Sequence, residues 1–162
     1  MILLIHDVAD ASPFLKNKPD DTEVIFDDGK ITPCISCYSC WVKTPGQCVV
    51  KDGYENLGVL FSKSNRVIVI SKCYYGGYSP FVKNVLDRSV PNGLPYFELI
   101  KGETHHKSRY NNRFVLEVHF YGEITESEKE TAKKLVKANG ITYGQKTKVC
   151  FHKSPEEIKE VY

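Results

Sequence analysis

The 162-residue chain predicts an α/β fold, with a five-stranded parallel sheet in the doubly wound order 2-1-3-4-5. Two observations carry that prediction. Five short apolar runs are continuous rather than alternating, as strands covered on both faces read. Amphipathic segments with start and stop signals lie between them, and right-handed crossovers then leave few topologies.

The first strand is Met1 to Ile5, and the second is Thr22 to Phe26, ended by the turn cluster Asp27-Asp28-Gly29. Between them Ala9 to Asp21 is too short for a full crossover helix, and Pro13 and Pro19 shorten it further. The first crossover helix is therefore expected to be shortened or missing. Tyr54 to Lys63 reads as a helix with Leu57, Leu60 and Phe61 inward, weakened by Gly58. Arg66 to Ser71 is the third strand. Ser79-Pro80 then opens a helix whose stripe is Phe81, Val82, Val85 and Leu86.

Ser89 to Arg113 holds Pro91, Gly93, Pro95 and Gly102 without clear periodicity, and is expected to be a long functional loop. Phe114 to Phe120 is the fourth strand. Overlapping capping boxes at Thr125–Glu128 and Ser127–Glu130 start a helix through Ala132, Leu135 and Val136, which Asn139-Gly140 should stop. Thr147 to Phe151 is a weaker fifth strand, and Ser154-Pro155-Glu156-Glu157 opens a short terminal helix. No repeat or linker divides residues 1–162, so a single domain is expected.

Composition narrows the function. The hydrophobic fraction is 41% and the charged fraction 26%, ordinary for a globular domain with a core. A net charge of +2 gives no basic footprint for nucleic acid. No apolar run approaches the roughly 20 residues of a membrane helix, and the N-terminal run is too short for a secretion signal. The expected compartment is the cytoplasm, where disulfides are disfavoured, so the six cysteines need another explanation.

Cys34, Cys37 and Cys40 recur every three residues, which on a helix places them within an arc of about 120°. Thr32 and Pro33 offer that helix an N-cap and first residue, and Thr44-Pro45-Gly46 could turn Cys48 back toward the same face. Four thiolates suit an iron–sulfur cluster, often bound by C-x2-C-x2-C runs. Zinc, redox thiols at a helix start, and plain packing of small side chains are the alternatives. Cys73 and Cys150, in or beside strands, read as core residues.

Cys73-Tyr-Tyr-Gly-Gly-Tyr-Ser79 follows the third strand. In a 2-1-3-4-5 sheet the loops after strands one and three flank the switch point, where ligands bind. Gly76 and Gly77 permit close approach, Tyr74, Tyr75 and Tyr78 offer aromatic faces, and Ser79 offers a hydroxyl. An aromatic-lined subunit contact is the competing use.

The segment Ile31-Thr-Pro-Cys34-Ile-Ser-Cys37-Tyr-Ser-Cys40-Trp41-Val-Lys-Thr-Pro45-Gly46-Gln-Cys48 resembles the cysteine segment of the NAD(P)H-dependent FMN reductases and iron–sulfur flavoproteins. Tyr74-Tyr-Gly-Gly-Tyr-Ser79, with Lys83 and Leu86-Asp87-Arg88, is similar to that family's flavin loop and following helix. Gly102-Glu-Thr-His105-His106 and Arg109-Tyr110 resemble its long connection.

The resemblance implies a flavodoxin-like three-layer sandwich, a homodimer or tetramer, and FMN passing electrons from NAD(P)H to a flavin, quinone or protein acceptor. The flavin performs that chemistry, so no general base is sought. It further implies Tyr74, Tyr75, Gly76, Gly77, Tyr78 and Ser79 against the flavin ring, with His119, Tyr121 and Gly122 as the third loop. Cys34, Cys37, Cys40 and Cys48 would be ligands of a 4Fe-4S cluster. No role is assigned to His105 or His106.

The first loop departs from the family pattern. Where a glycine- and hydroxyl-rich turn would hold the FMN phosphate, this chain reads His6-Asp-Val-Ala-Asp-Ala-Ser12-Pro-Phe14. Ser12 offers one hydrogen bond, whereas Asp7 and Asp10 repel a phosphate. Two further function classes follow: a flavin-free structural or regulatory subunit, and an iron–sulfur electron carrier.

Overall fold

The computed structural model describes residues 1–100, 102–143, 146–159 and 161–162. Its elements run β1 (Ile2–His6), α1 (Ser12–Leu15), β2 (Thr22–Phe26), α2 (Ser39–Val42), α3 (Leu57–Lys63), β3 (Arg66–Lys72), α4 (Pro80–Arg88), β4 (Gly93–Ile100), β5 (Glu103–Ser108), β6 (Val115–Tyr121), α5 (Glu126–Tyr143) and β7 (Lys146–His152). Short 3-10 turns at Val90–Asn92 and Pro155–Glu157 complete the set.

β2-β1-β3-β6-β7 form one parallel sheet, which is the expected 2-1-3-4-5 order once the separate β4–β5 pair is set aside. The continuous apolar runs explain the centre of that sheet: Leu3, Leu4, Ile5 and Val67 to Ile70 have no exposed surface. Burying each such side chain contributes about 1.5–3 kcal/mol.

Alternation divides the sheet into two faces. Leu3, Ile5, Val67, Val69, Leu116, Val118 and Phe120 pack with Leu57 and Phe61 of α3, Val82 and Val85 of α4, and Ala132 and Val136 of α5. Leu4, Ile68 and Ile70 point the other way, against Phe14 of α1 and Ile158 and Val161 near the C-terminus. That second cover is thin because α1 has four residues, as the short first crossover predicts.

Four expectations are corrected. The residues from Ile31 to Tyr38 are not helical, and α2 begins only at Ser39. Ser36 and Tyr38 have φ of 51° and 56°, left-handed values that a continuous helix excludes. Cys34, Cys37 and Cys40 therefore do not share a helical arc. The long connection after α4 contains the antiparallel hairpin β4–β5 rather than an open loop. The long helix passes Asn139-Gly140 and ends at Tyr143, whose ring stacks on Phe61 and whose hydroxyl meets that of Ser89 at 2.9 Å. Tertiary packing there outweighs the local stop signal. The terminal helix is a single 3-10 turn. Among the described residues no helix is long and apolar enough to cross a membrane.

Candidate functional site

All five strands run parallel, so the segments after β1, β2, β3 and β6 leave one edge of the sheet. The β3–α4 turn is tight: Tyr74 N–H donates to Gly77 O at 3.0 Å and Gly77 N–H to Tyr74 O at 2.8 Å. Tyr75 and Gly76 supply positive φ of 52° and 78°, as a two-residue turn of the primed kind requires. A Cβ at Gly76 would lie 2.7 Å from both Glu128 O and Thr131 Cβ. This glycine admits α5, a role its sequence context does not announce.

The tyrosines divide. Tyr74 and Tyr75 are exposed, with Lys72 Nζ 5.5 Å from the Tyr74 ring centroid. Tyr78 is buried and donates to Asn139 Oδ1 at 2.9 Å. Ser79 is buried too: its N–H donates to Ser71 Oγ at 2.9 Å, and its hydroxyl caps α4 by accepting from Val82 N at 3.4 Å. Tyr78 and Ser79 therefore serve the framework.

The first loop is occupied by its own carboxylates. Asp7 accepts from Lys72 N–H at 2.9 and 3.2 Å and from Tyr121 O–H at 3.0 Å. Asp10 accepts from Ser12 N–H at 2.9 Å. Ser12 N–H, Lys72 N–H and Tyr121 O–H, which could otherwise meet a phosphate here, already have anionic acceptors. Tyr121 is committed to Asp7, and Gly122 donates its N–H to His152 O at 3.1 Å. His119 does not reach the strand edge. It lies buried on the thinly covered face, with its Nε2 3.1 Å from Glu117 Oε1 and its Nδ1 3.0 Å from His152 Nε2.

The cysteine segment leaves β2 at the same edge. Its far end is tied down by Arg88, fully buried at the end of α4. Arg88 donates to Asp52 Oδ2 at 2.8 Å, Asp52 Oδ1 at 3.0 Å and Thr32 O at 2.7 Å. These bonds hold the Asp52 carboxyl far below the usual range. The Thr44–Gln47 turn forms, with Gln47 N–H donating to Thr44 O at 2.9 Å, and Cys48 N–H donates to Glu55 O at 3.0 Å.

Cys34 and Cys37 are exposed, Cys40 and Cys48 half-buried, and all are free thiols. Hydrogen bonds from the Ser39 hydroxyl and N–H draw the Cys37 thiol down. Burial first, then the proximity of Cys48, Cys34 and Cys37, pushes Cys40 up. Cys48, Cys34 and Cys37 thus act on Cys40 although no helix aligns them. The four thiols do not, however, form a group of ligand atoms all within 4.8 Å of one another, which a single tetrahedral zinc ion would draw together. A cubane spreads its ligand sulfurs wider, and four cysteines are the donor set it takes.

Sequence reasoning missed the feature joining the two regions. A cavity of about 490 Å³ lies between α4, α5 and the hairpin, lined among others by Trp41 of the cysteine segment, Gly77 and Tyr78 of the β3–α4 turn, and His106. Trp41 donates its indole N–H to Gly93 O at 3.1 Å and packs on His106 at 4.8 Å between centroids. His106 also meets Phe97 at 4.6 Å, and its Nδ1 lies 2.8 Å from Leu94 O. The pairing of β5 with β4 brings His106 to the cavity, and a segment without periodicity gave no signal of it.

Over 64 residues, 40% of its length, the chain is 33% identical to an iron–sulfur flavoprotein of Methanocaldococcus jannaschii and 36% identical to one of Archaeoglobus fulgidus. The match spans 32% and 28% of the length of those relatives. No family profile matches. An FMN-dependent NADH-azoreductase from Bacillus anthracis in complex with FMN superposes with a TM-score of 0.55 at 12% identity, covering 98% of this chain and 91% of that one. A second azoreductase structure from B. anthracis gives 0.60 at 9%, over 97% and 88% of the two chains. An NADPH-quinone reductase of P. pentosaceus gives 0.53 at 12%, over 96% and 88%.

The fold is flavodoxin-like. At such identities the structural likeness speaks for the fold, and the shorter sequence match points to iron–sulfur flavoproteins.

Proposed function

We propose that this chain is an oxidoreductase of the iron–sulfur flavoprotein kind. It moves electrons from NAD(P)H through FMN to a flavin, quinone or protein acceptor, with Cys34, Cys37, Cys40 and Cys48 holding a 4Fe-4S cluster. The observation that carries this reading is the cavity shared by Trp41 of the cysteine segment and Gly77 and Tyr78 of the glycine–tyrosine turn. The cysteine segment and the glycine–tyrosine turn thereby border one concavity.

The residues fit the two groups unequally. Four free thiols within one segment suit a cluster. Tyr74 and Tyr75 at the strand edge suit a planar ring. The first loop does not suit a phosphate, since Asp7 and Asp10 fill it with negative charge. FMN held by this chain keeps its phosphate outside that loop.

The same loop favours one second reading, an iron–sulfur electron carrier without flavin. FMN titration of the protein, followed by flavin absorbance, separates them. Saturable binding with NAD(P)H oxidation by an artificial acceptor supports the flavoprotein. Unchanged free-flavin spectra in a protein that holds iron and sulfide support the carrier.

A further inference from the structure

We propose that Glu117, His119 and Cys150 form a site for a divalent transition-metal ion of the zinc type, on the sheet face opposite α3, α4 and α5. The site is separate from the four-cysteine segment.

Its construction follows from strand register. β6 and β7 are parallel neighbours with His119 beside Cys150, Glu117 beside Lys148 and Tyr121 beside His152. Alternation sends Leu116, Val118, Phe120, Val149 and Phe151 to the helix-covered core, and so sends Glu117, His119, Cys150 and His152 to the other face. There the ligand atoms of Glu117, His119 and Cys150 all lie within 4.8 Å of one another. Tetrahedral donors about 2.0–2.3 Å from a zinc ion stand roughly 3.3–3.8 Å apart, so closing the trio takes about 1.5 Å at most. An oxygen, an imidazole nitrogen and a sulfur are a donor set that a borderline-soft ion takes, with one coordination position left open.

The surroundings are those of a metal site. Glu117 and His119 are 3% and 4% exposed. His152 Nε2, 3.0 Å from His119 Nδ1, is placed to orient the imidazole while Nε2 faces the ion. In the ion-free network Arg66 Nη2 lies 2.6 Å from Glu117 Oε2 and Lys148 Nζ 2.7 Å from Oε1. Lys148 is 60% exposed and free to swing outward, so the ion replaces its charge while Arg66 keeps the other oxygen. Binding releases the Cys150 thiol proton to solvent and forms a metal–thiolate bond, with no change of oxidation state.

The test is anaerobic titration of the full chain with Co2+ alone, read by visible absorbance and by the number of ions retained. Wild type retains one Co2+ more than Cys150→Ser, and that ion carries a thiolate-to-cobalt band the variant lacks. Lys148→Ala, which removes the competing cation, tightens that ion by about tenfold, an effect a purely structural ion-pair network does not predict. A variant with Cys34, Cys37, Cys40 and Cys48 all changed to Ser keeps this one ion if it folds by circular dichroism. Equal retention by wild type and Cys150→Ser overturns the proposal, as does a folded four-serine variant that retains none. If the four-serine variant does not fold, the comparison of wild type with Cys150→Ser decides.

Discussion

Arg88 is the residue on which the cysteine segment hangs. Its guanidinium is fully buried, and Asp52 is its anionic partner among the described residues, at 2.8 and 3.0 Å. Removing one member of such a pair leaves an uncompensated buried charge, costing about 3–5 kcal/mol. Asp52→Ala is therefore expected to lower unfolding free energy by about that amount in urea titration, and to loosen the segment from Thr32 to Asp52. The pair also sets an acid limit. Hydrogen bonds from Arg88 depress the Asp52 carboxyl, so its folded-state value lies below its unfolded value near 3.9. Its stabilisation is complete above about pH 4 and is lost as pH falls further. Denaturation curves between about pH 5 and pH 2 check this: wild type loses stability downward, and Asp52→Asn has a shallower slope.

Asp10 makes the complementary case, since it is exposed and bonds only within its own turn. Asp10→Ser keeps an acceptor for Ser12 N–H and removes a charge from the first loop. Because the two carboxylates keep a phosphate out of this loop, removing one is expected to raise FMN affinity severalfold. Unchanged affinity in fluorescence titration means the phosphate never approaches this loop.

At the scale of elements, α5 and the β3–α4 turn depend on each other. Thr125 and Glu128 form the expected capping box: Thr125 N–H donates to Glu128 Oε2 at 2.9 Å and Glu128 N–H to Thr125 Oγ1 at 3.3 Å. Thr125→Ala is expected to cost about 1 kcal/mol. Gly76→Ala is expected to cost about 2 kcal/mol or more, because the new methyl meets the backbone of α5 at 2.7 Å in a left-handed conformation. Thermal melts of the two variants check the order. What was legible here was local. Thr125–Glu128, Ser79-Pro80 and the β-branched runs carry their instructions within a few residues, and those elements stand where they were expected. Cys34 to Cys40 misled because a spacing of three satisfies a helix, while Ser36 and Tyr38 take left-handed backbone that no side-chain pattern signals. The β4–β5 hairpin was hidden because Leu94 to Ile100 lacks alternation and its pairing with Glu103–Ser108 is a tertiary fact.

The whole molecule is a flavodoxin-like sheet with a full helix layer on one face and a thin cover on the other. Both unusual side-chain groups follow from that asymmetry and from the sheet's edge. The cysteine segment leaves β2 at the C-terminal edge, where parallel strands release their loops, and is held against the far end of α4 by Arg88 and Trp41. The polar cluster of Glu117, His119, Cys150 and His152 sits where a thick helix layer would otherwise demand apolar side chains. Candidate ligands at the edge were legible as residue types. Their divided roles were not: Tyr78 and Ser79 turned inward because Asn139 and Ser71 wait for them across the fold.

The central claim is that Cys34, Cys37, Cys40 and Cys48 hold an iron–sulfur cluster. The most direct test is iron and acid-labile sulfide analysis of anaerobically purified protein, with its visible spectrum, beside Cys37→Ser. The account predicts four iron and four sulfide per chain in wild type, with a broad cluster shoulder that Cys37→Ser abolishes while keeping its circular dichroism. Wild-type protein without iron or sulfide after anaerobic purification and reconstitution contradicts it.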